Sequence, residues 1–231
     1  MRALLAGALG LLCASPARVL DGPVVERELV GWTVHVDRAL LEGEGAELGR
    51  QALAALESHL VQISILMEDA LLEDLRGLEI RLDLDDEDMG GMQYHPGQGW
   101  LRNNGHSLDL WRKVHIPQAA ELVSRRMAAV QPRVILHELA HAYHDQILGF
   151  DEERIQATWQ AAMDEGLYEE VLHVNGRTVE HYSTTNHKEY FAESTEAYFG
   201  CNDYYPFVRA ELEQHDPRMH ALLAEIWGRL P

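Results

Sequence analysis

The sequence predicts an α+β fold: a small twisted sheet packed on a central helix, with a helical C-terminal half. Three observations carry that reading. Alternating apolar residues concentrate in the first half of the chain, helical spacing dominates after about residue 119, and His137-Glu138-Leu139-Ala140-His141 lies in an apolar segment between Pro132 and Gly149. Side chains alternate across a strand, so Val30 to Val36 and Leu78 to Leu84 read as strands. Lys113 to Ile116 reads as an edge strand beside the central helix. From Ala46 to Met67 the apolar positions Leu48, Leu53, Leu56, Leu60 and Ile63 follow helical spacing, and Leu71 to Leu75 gives a second, short helix. Asp85-Asp86-Glu87-Asp88 followed by Gly90-Gly91 lacks the spaced ligands of a calcium loop and reads as a solvated turn. Tyr94 to Trp100 is a polar, aromatic loop. Helices follow at Ala119 to Ala129 and Glu152 to Glu165. Val171 to Val174 and Thr178 to Tyr182 form a hairpin around Asn175-Gly176, a pair suited to a type I′ turn. Asn186 caps a helix running to Gly200, and Pro206 and Pro217 each start another.

Composition bounds the partners. The 231 residues carry 19 Lys and Arg against 38 Asp and Glu, a formal charge of −19, which argues against nucleic acid or an anionic membrane surface and weakly favours basic substrates. Met1-Arg2, the apolar run Ala3 to Cys13 and the small residues around Ser15-Pro16-Ala17 read as a signal peptide over residues 1–17. The apolar run is shorter than the ~20 residues of a membrane span, so no stable membrane insertion is expected once the signal is removed. A single domain over 18–231, secreted or periplasmic, is the expectation. Cys201 is then its only cysteine, and no internal disulfide forms.

The chemistry sits in the HExxH run. A helix turns about 100° per residue, so His137 and His141 lie on one face, one turn apart, and can hold one metal from one side. Glu138 is offset enough to reach a water on that metal rather than the metal itself. Two nitrogen ligands, an open position and a base are what zinc-dependent hydrolysis requires, and Zn²⁺ is the cofactor this pattern predicts. The α+β arrangement around such a helix is zincin-like. An extended motif with a third histidine is excluded, because its glycine position holds His144 and its histidine position Ile147. His144 lies two turns from His137 and reads as a surface residue or one lying behind the metal ligands. The remaining source of a third ligand is a later helix. Glu189, Glu193 and Glu196 recur at four and three residues on one face, beside the bulky Tyr190, Phe191, Tyr198 and Phe199. A buried helix needs a reason to carry acids, and metal ligation is one.

Tyr182, seven residues before Glu189-Tyr190-Phe191-Ala192-Glu193, together with HExxH resembles the C-terminal catalytic domain of anthrax lethal factor, a zinc metallopeptidase of gluzincin type. The interval from His141 to Glu189, 189 − 141 = 48 residues, is similar to that family's. The resemblance covers about Pro132 to Gly200. It implies that Glu189 is the third zinc ligand, that Glu193 supports a ligand from behind and that Tyr182 donates a hydrogen bond in the transition state. It does not extend to toxin-delivery domains, so it implies neither cell entry nor that toxin's substrate. Cys201 to Phe207 is similar to small secreted metallopeptidase-like proteins whose function is only inferred. The expected activity is hydrolysis of a peptide or protein substrate. Two other readings stay open: a secreted zinc-binding module or pseudo-enzyme without proteolytic activity, and a zinc hydrolase acting on a small amide. The oligomeric state is not read from the sequence.

Overall fold

The computed structural model describes residues 24–229, and the expected signal peptide lies outside them. In chain order the elements are β1 (Val24–Leu29), β2 (Trp32–Asp37), α1 (Ala46–Leu66), α2 (Asp69–Arg76), β3 (Glu79–Leu82), β4 (Gln93–Tyr94), α3 (Gln98–Asn103), β5 (Lys113–Ile116), α4 (Ala119–Leu122), α5 (Arg125–Val130) and α6 (Val134–Tyr143). They continue with α7 (Glu153–Asp164), β6 (Val171–Leu172), β7 (Thr178–Val179), α8 (His187–Phe199), α9 (Arg209–His215) and α10 (Pro217–Ile226). The fold is α+β, as the sequence predicts.

Five strands form a mixed sheet in the order β1-β2-β3-β5-β4. β1 is antiparallel to β2, β2 to β3 to β5 is parallel, and β4 returns antiparallel at the far edge. One face presents Val34, Val36, Ile80, Leu82, Val114 and Ile116, all fully buried, to a continuous apolar core that includes Leu56 and Leu60 of α1 and Ile135 and Leu139 of α6. Parallel strands need cover, and here α1 and α6 supply it. The other face carries Arg81, Asp83 and His115, covered by the segment 85–111, in which Met89, Leu101 and Leu110 form a small separate apolar cluster while Tyr94 joins the main core. No helix among the described residues is long and apolar enough to cross a membrane.

Several sequence expectations are corrected. Lys113–Ile116 is not an edge strand; β5 lies between β3 and the two-residue β4, consistent with the burial of Val114, His115 and Ile116. The strand expected from Val30 starts at Trp32, because Val30 and Gly31 form a two-residue hairpin turn with φ of 54° and 92°. A valine at positive φ is strained, and sequence preference argues against it there. At Asn175-Gly176 only Gly176 has positive φ (84°), so the hairpin is not closed by a type I′ turn. Instead the Gly176 N–H donates to the His173 carbonyl, and the Asn175 side chain accepts from the Arg177 N–H. The 119–129 helix breaks at Val123, and Ser124 caps the second piece by accepting from the Met127 N–H. Pro206 begins no helix: α9 starts at Arg209, while Pro217 does open α10.

Candidate metal centre

α6 is buried over almost its whole length, from Ile135 to Tyr143, so its polar side chains need partners within the protein. α8 supplies them. Its start is fixed by Asn186, whose side-chain oxygen accepts from the N–H groups of Lys188 (2.9 Å) and Glu189 (3.1 Å). That cap sets the phase of the helix, and α8 packs along α6 with Glu189, Glu193 and Glu196 facing the histidines.

Three atoms converge. His141 Nε2 lies 3.0 Å from His137 Nε2 and 3.1 Å from Glu189 Oε2, and His137 Nε2 lies 3.4 Å from the same oxygen. Each imidazole nitrogen carries at most one proton, so hydrogen bonds alone leave lone pairs facing one another across this triangle. A cation between the three atoms satisfies all of them. His137, His141 and Glu189 therefore form a buried group able to hold a metal ion.

The charges point the same way. Glu138 is 6% exposed and Glu196 4%, and both surround the two imidazoles together with Glu189 and Glu193. Burial works against the Glu189 carboxylate, yet the two imidazoles hold its carboxyl well below the usual range. Burial likewise opposes charge on His137, but Glu189 and Glu196 hold it well above the ordinary histidine value. Burial pushes Glu138 up to about 8, and burial with the adjacent Glu196 pushes Glu193 well up. This is a pocket with more carboxylates than countercharges.

Each expected residue can now be placed. His137, Glu138, His141, Glu189, Glu193 and Tyr182 all line one cleft of about 540 Å³. Tyr182 is half-exposed on the cleft wall, in a short 3₁₀ turn capped by His181, whose Nδ1 accepts from the Ser183 N–H at 3.0 Å. The Glu189 carboxylate, then burial, raises the Tyr182 hydroxyl's pKa, keeping it a proton donor. Glu193 lies 3.9 Å from His137 Nδ1, whereas Glu196 lies at 2.7 Å, so Glu196 is the carboxylate that accepts the ring N–H. A carboxylate behind a ligand imidazole fixes which ring nitrogen is free for a metal.

The sequence reading leaves one contributor without a role and misses another. Glu196 belongs to the acidic stripe, which was the signal for it. Tyr94, on the edge strand β4, had none: its backbone N–H lies where it lowers the Glu138 pKa against burial, and its hydroxyl donates to Asp145 at 2.6 Å. His144 is corrected as well. It is fully buried, in a π-helical turn that continues α6, against Phe150 and Phe191, and not at the surface. Burial pushes its pKa down to about 3, and neither ring nitrogen has a hydrogen-bond partner among the described residues. Comparison of the chain with protein-family models, with curated proteins and with solved structures found no match.

Proposed function

We propose that the protein is an exported zinc-dependent metallopeptidase of gluzincin type, in which His137, His141 and Glu189 hold the ion and Glu138 is the general base. The observation that carries this reading is the triangle of ligand atoms, 3.0, 3.1 and 3.4 Å on its edges, with an intact buried glutamate beside it in an open cleft. Ligands held about 2.0–2.1 Å from one tetrahedral zinc ion stand roughly 3.3 Å apart. The triangle matches that spacing, and three protein ligands leave a fourth position open. When bound, zinc supplies a Lewis acid that lowers the pKa of a coordinated water to about 7.

The chain's own residues do the rest. Glu138, buried beside the two imidazoles, takes the proton from the attacking water and returns it to the leaving amine. The Tyr182 hydroxyl donates to the oxygen that gains charge as the peptide carbonyl is attacked. Glu196 holds His137 with its Nε2 turned to the ion, and Glu193 lies behind the same ring. The substrate is a peptide or protein segment, since the cleft is open and of about 540 Å³. The N-terminal segment directs the protein to the periplasm or outside the cell.

The test is a pair of measurements on the mature protein. Metal analysis should find zinc that is lost in Glu189→Ala, and Glu138→Gln should retain zinc while losing about 10²–10⁴-fold in cleavage of a peptide library. Wild-type protein free of zinc after purification and reconstitution would sink the reading. Zinc-loaded wild type that cleaves no peptide would favour a zinc-binding module.

A further inference from the structure

A second set of ligating side chains lies on the opposite face of the sheet, away from the α6–α8 cleft. Asp83 follows β3, His115 is on β5, and Asp86 opens the segment that crosses the outer face; they are 4%, 0% and 4% exposed. One ligand atom from each lies within 4.8 Å of the others. His115 Nε2 is 2.9 Å from Asp83 Oδ2, and the other Asp83 oxygen is held by Arg81 at 2.6 Å. That leaves Asp86. Its carboxylate accepts from the Asp88 N–H at 3.3 Å, and no Lys, Arg or His of the described residues forms an ion pair with it. A buried carboxylate without a countercharge is costly. The local arrangement is thus short of one positive charge beside an imidazole and two carboxylates.

His115 is already oriented for ligation. Its Nδ1 lies 3.2 Å from Nε2 of the buried His95 and its Nε2 2.9 Å from Asp83, so the ring is held at both nitrogens with Nε2 toward the two carboxylates.

We propose that Asp83, Asp86 and His115 form a second divalent-cation site, structural rather than catalytic, that anchors the segment 85–111 to the sheet. One nitrogen and two oxygens suit a first-row divalent ion such as Zn²⁺ or Mn²⁺ better than the all-oxygen preference of Ca²⁺. The position explains what the ion does. Segment 85–111 has only Met89, Leu101 and Leu110 as its own apolar cluster, and Gln118 ties its start by donating to the carbonyls of Asp86 (2.6 Å) and Met89 (3.0 Å). The same segment carries β4, which forms the rim of the cleft. A metal cross-link at its base compensates for a thin core, as metals do in small loop-rich units.

The experiment counts ions in chelator-stripped full-length protein titrated separately with Zn²⁺ and Mn²⁺. Wild type should bind two ions per chain, and the double variant His137→Ala/His141→Ala should still bind one. In that double-variant background the added metal should raise the melting temperature, and Asp86→Asn or His115→Ala should abolish the rise and weaken the remaining ion at least tenfold. A single ion in wild type that disappears in the double variant overturns the second site and leaves the proposed function standing. A single ion in wild type that survives in the double variant does the reverse. Asp86→Asn, which keeps shape and removes charge, guards against a misfolded His115 variant. A double variant whose melting is indifferent to metal also overturns the proposal.

Discussion

The protein buries imidazoles against carboxylates in two places and neutralises them by different means. On the outer face of the sheet, Arg81 sits beside Asp83 at 2.6 Å, a permanent cation delivered by the chain itself, and only the neighbouring Asp86 is left without one among the described residues. Between α6 and α8, Glu138, Glu189, Glu193 and Glu196 surround two imidazoles with no Arg or Lys ion-paired to any of them among the described residues. The difference is instructive. A buried carboxylate with its own guanidinium is settled when the chain folds, whereas an excess of carboxylates is settled only by something exchangeable, a proton or a metal ion. The Arg81–Asp83 pair belongs to structure, and the carboxylate excess leaves room for chemistry.

That contrast can be broken at several points. The largest effect is expected from Arg81→Met, which strands Asp83 without its partner and should cost about 3–5 kcal/mol of unfolding free energy in urea titration; a cost below 1 kcal/mol would mean that Arg81 is not what balances this face. Next comes Glu196→Gln, which should weaken zinc affinity about 10–100-fold by competition with a chelator dye, while peptide cleavage at saturating zinc changes much less. If Glu193→Gln has the larger effect, Glu193 rather than Glu196 supports His137.

A smaller effect is expected from His95, buried on the outer face with its pKa depressed from 6.5 to about 3. The unfolded chain binds this proton near pH 6.5 and the folded protein does not, so His95 weighs against folding as acid is added. Stability is full above pH 6.5 and falls towards pH 3 by up to about 1.4 kcal/mol per pH unit. His95→Gln should flatten that part of the profile, and an unchanged slope would show that other groups set it. The smallest effect is expected from Lys113→Ala, whose ion pair with the part-exposed Glu79 should be worth under about 1 kcal/mol in the same titration.

How much the sequence reveals follows from how local each determinant is. α1, α6 and α8 are legible because periodicity and capping lie within the segment itself: Asn186 announces the start of α8 and accepts from Lys188 and Glu189 there. β1 is not, because Val24–Leu29 reads Val-Val-Glu-Arg-Glu-Leu, with its polar middle exposed, and it exists through pairing with β2. β4 is two residues long, and only its partner β5 defines it. The histidines of the metal group follow from a four-residue spacing, but choosing between Glu193 and Glu196 depends on how α8 crosses α6, which no spacing within α8 contains. His144 likewise continues the polar face of α6 on paper, and the π-helical turn swings it into the aromatic layer.

Tyr94 has a mechanical consequence. Its backbone N–H acts on Glu138 in the middle of α6, while its hydroxyl donates to Asp145 in the turn beyond the end of that helix. One residue of the rim therefore meets the helix segment at two points seven residues, about two turns, apart. A ligand that forces the wall outward would be felt at the glutamate and beyond the end of the helix together.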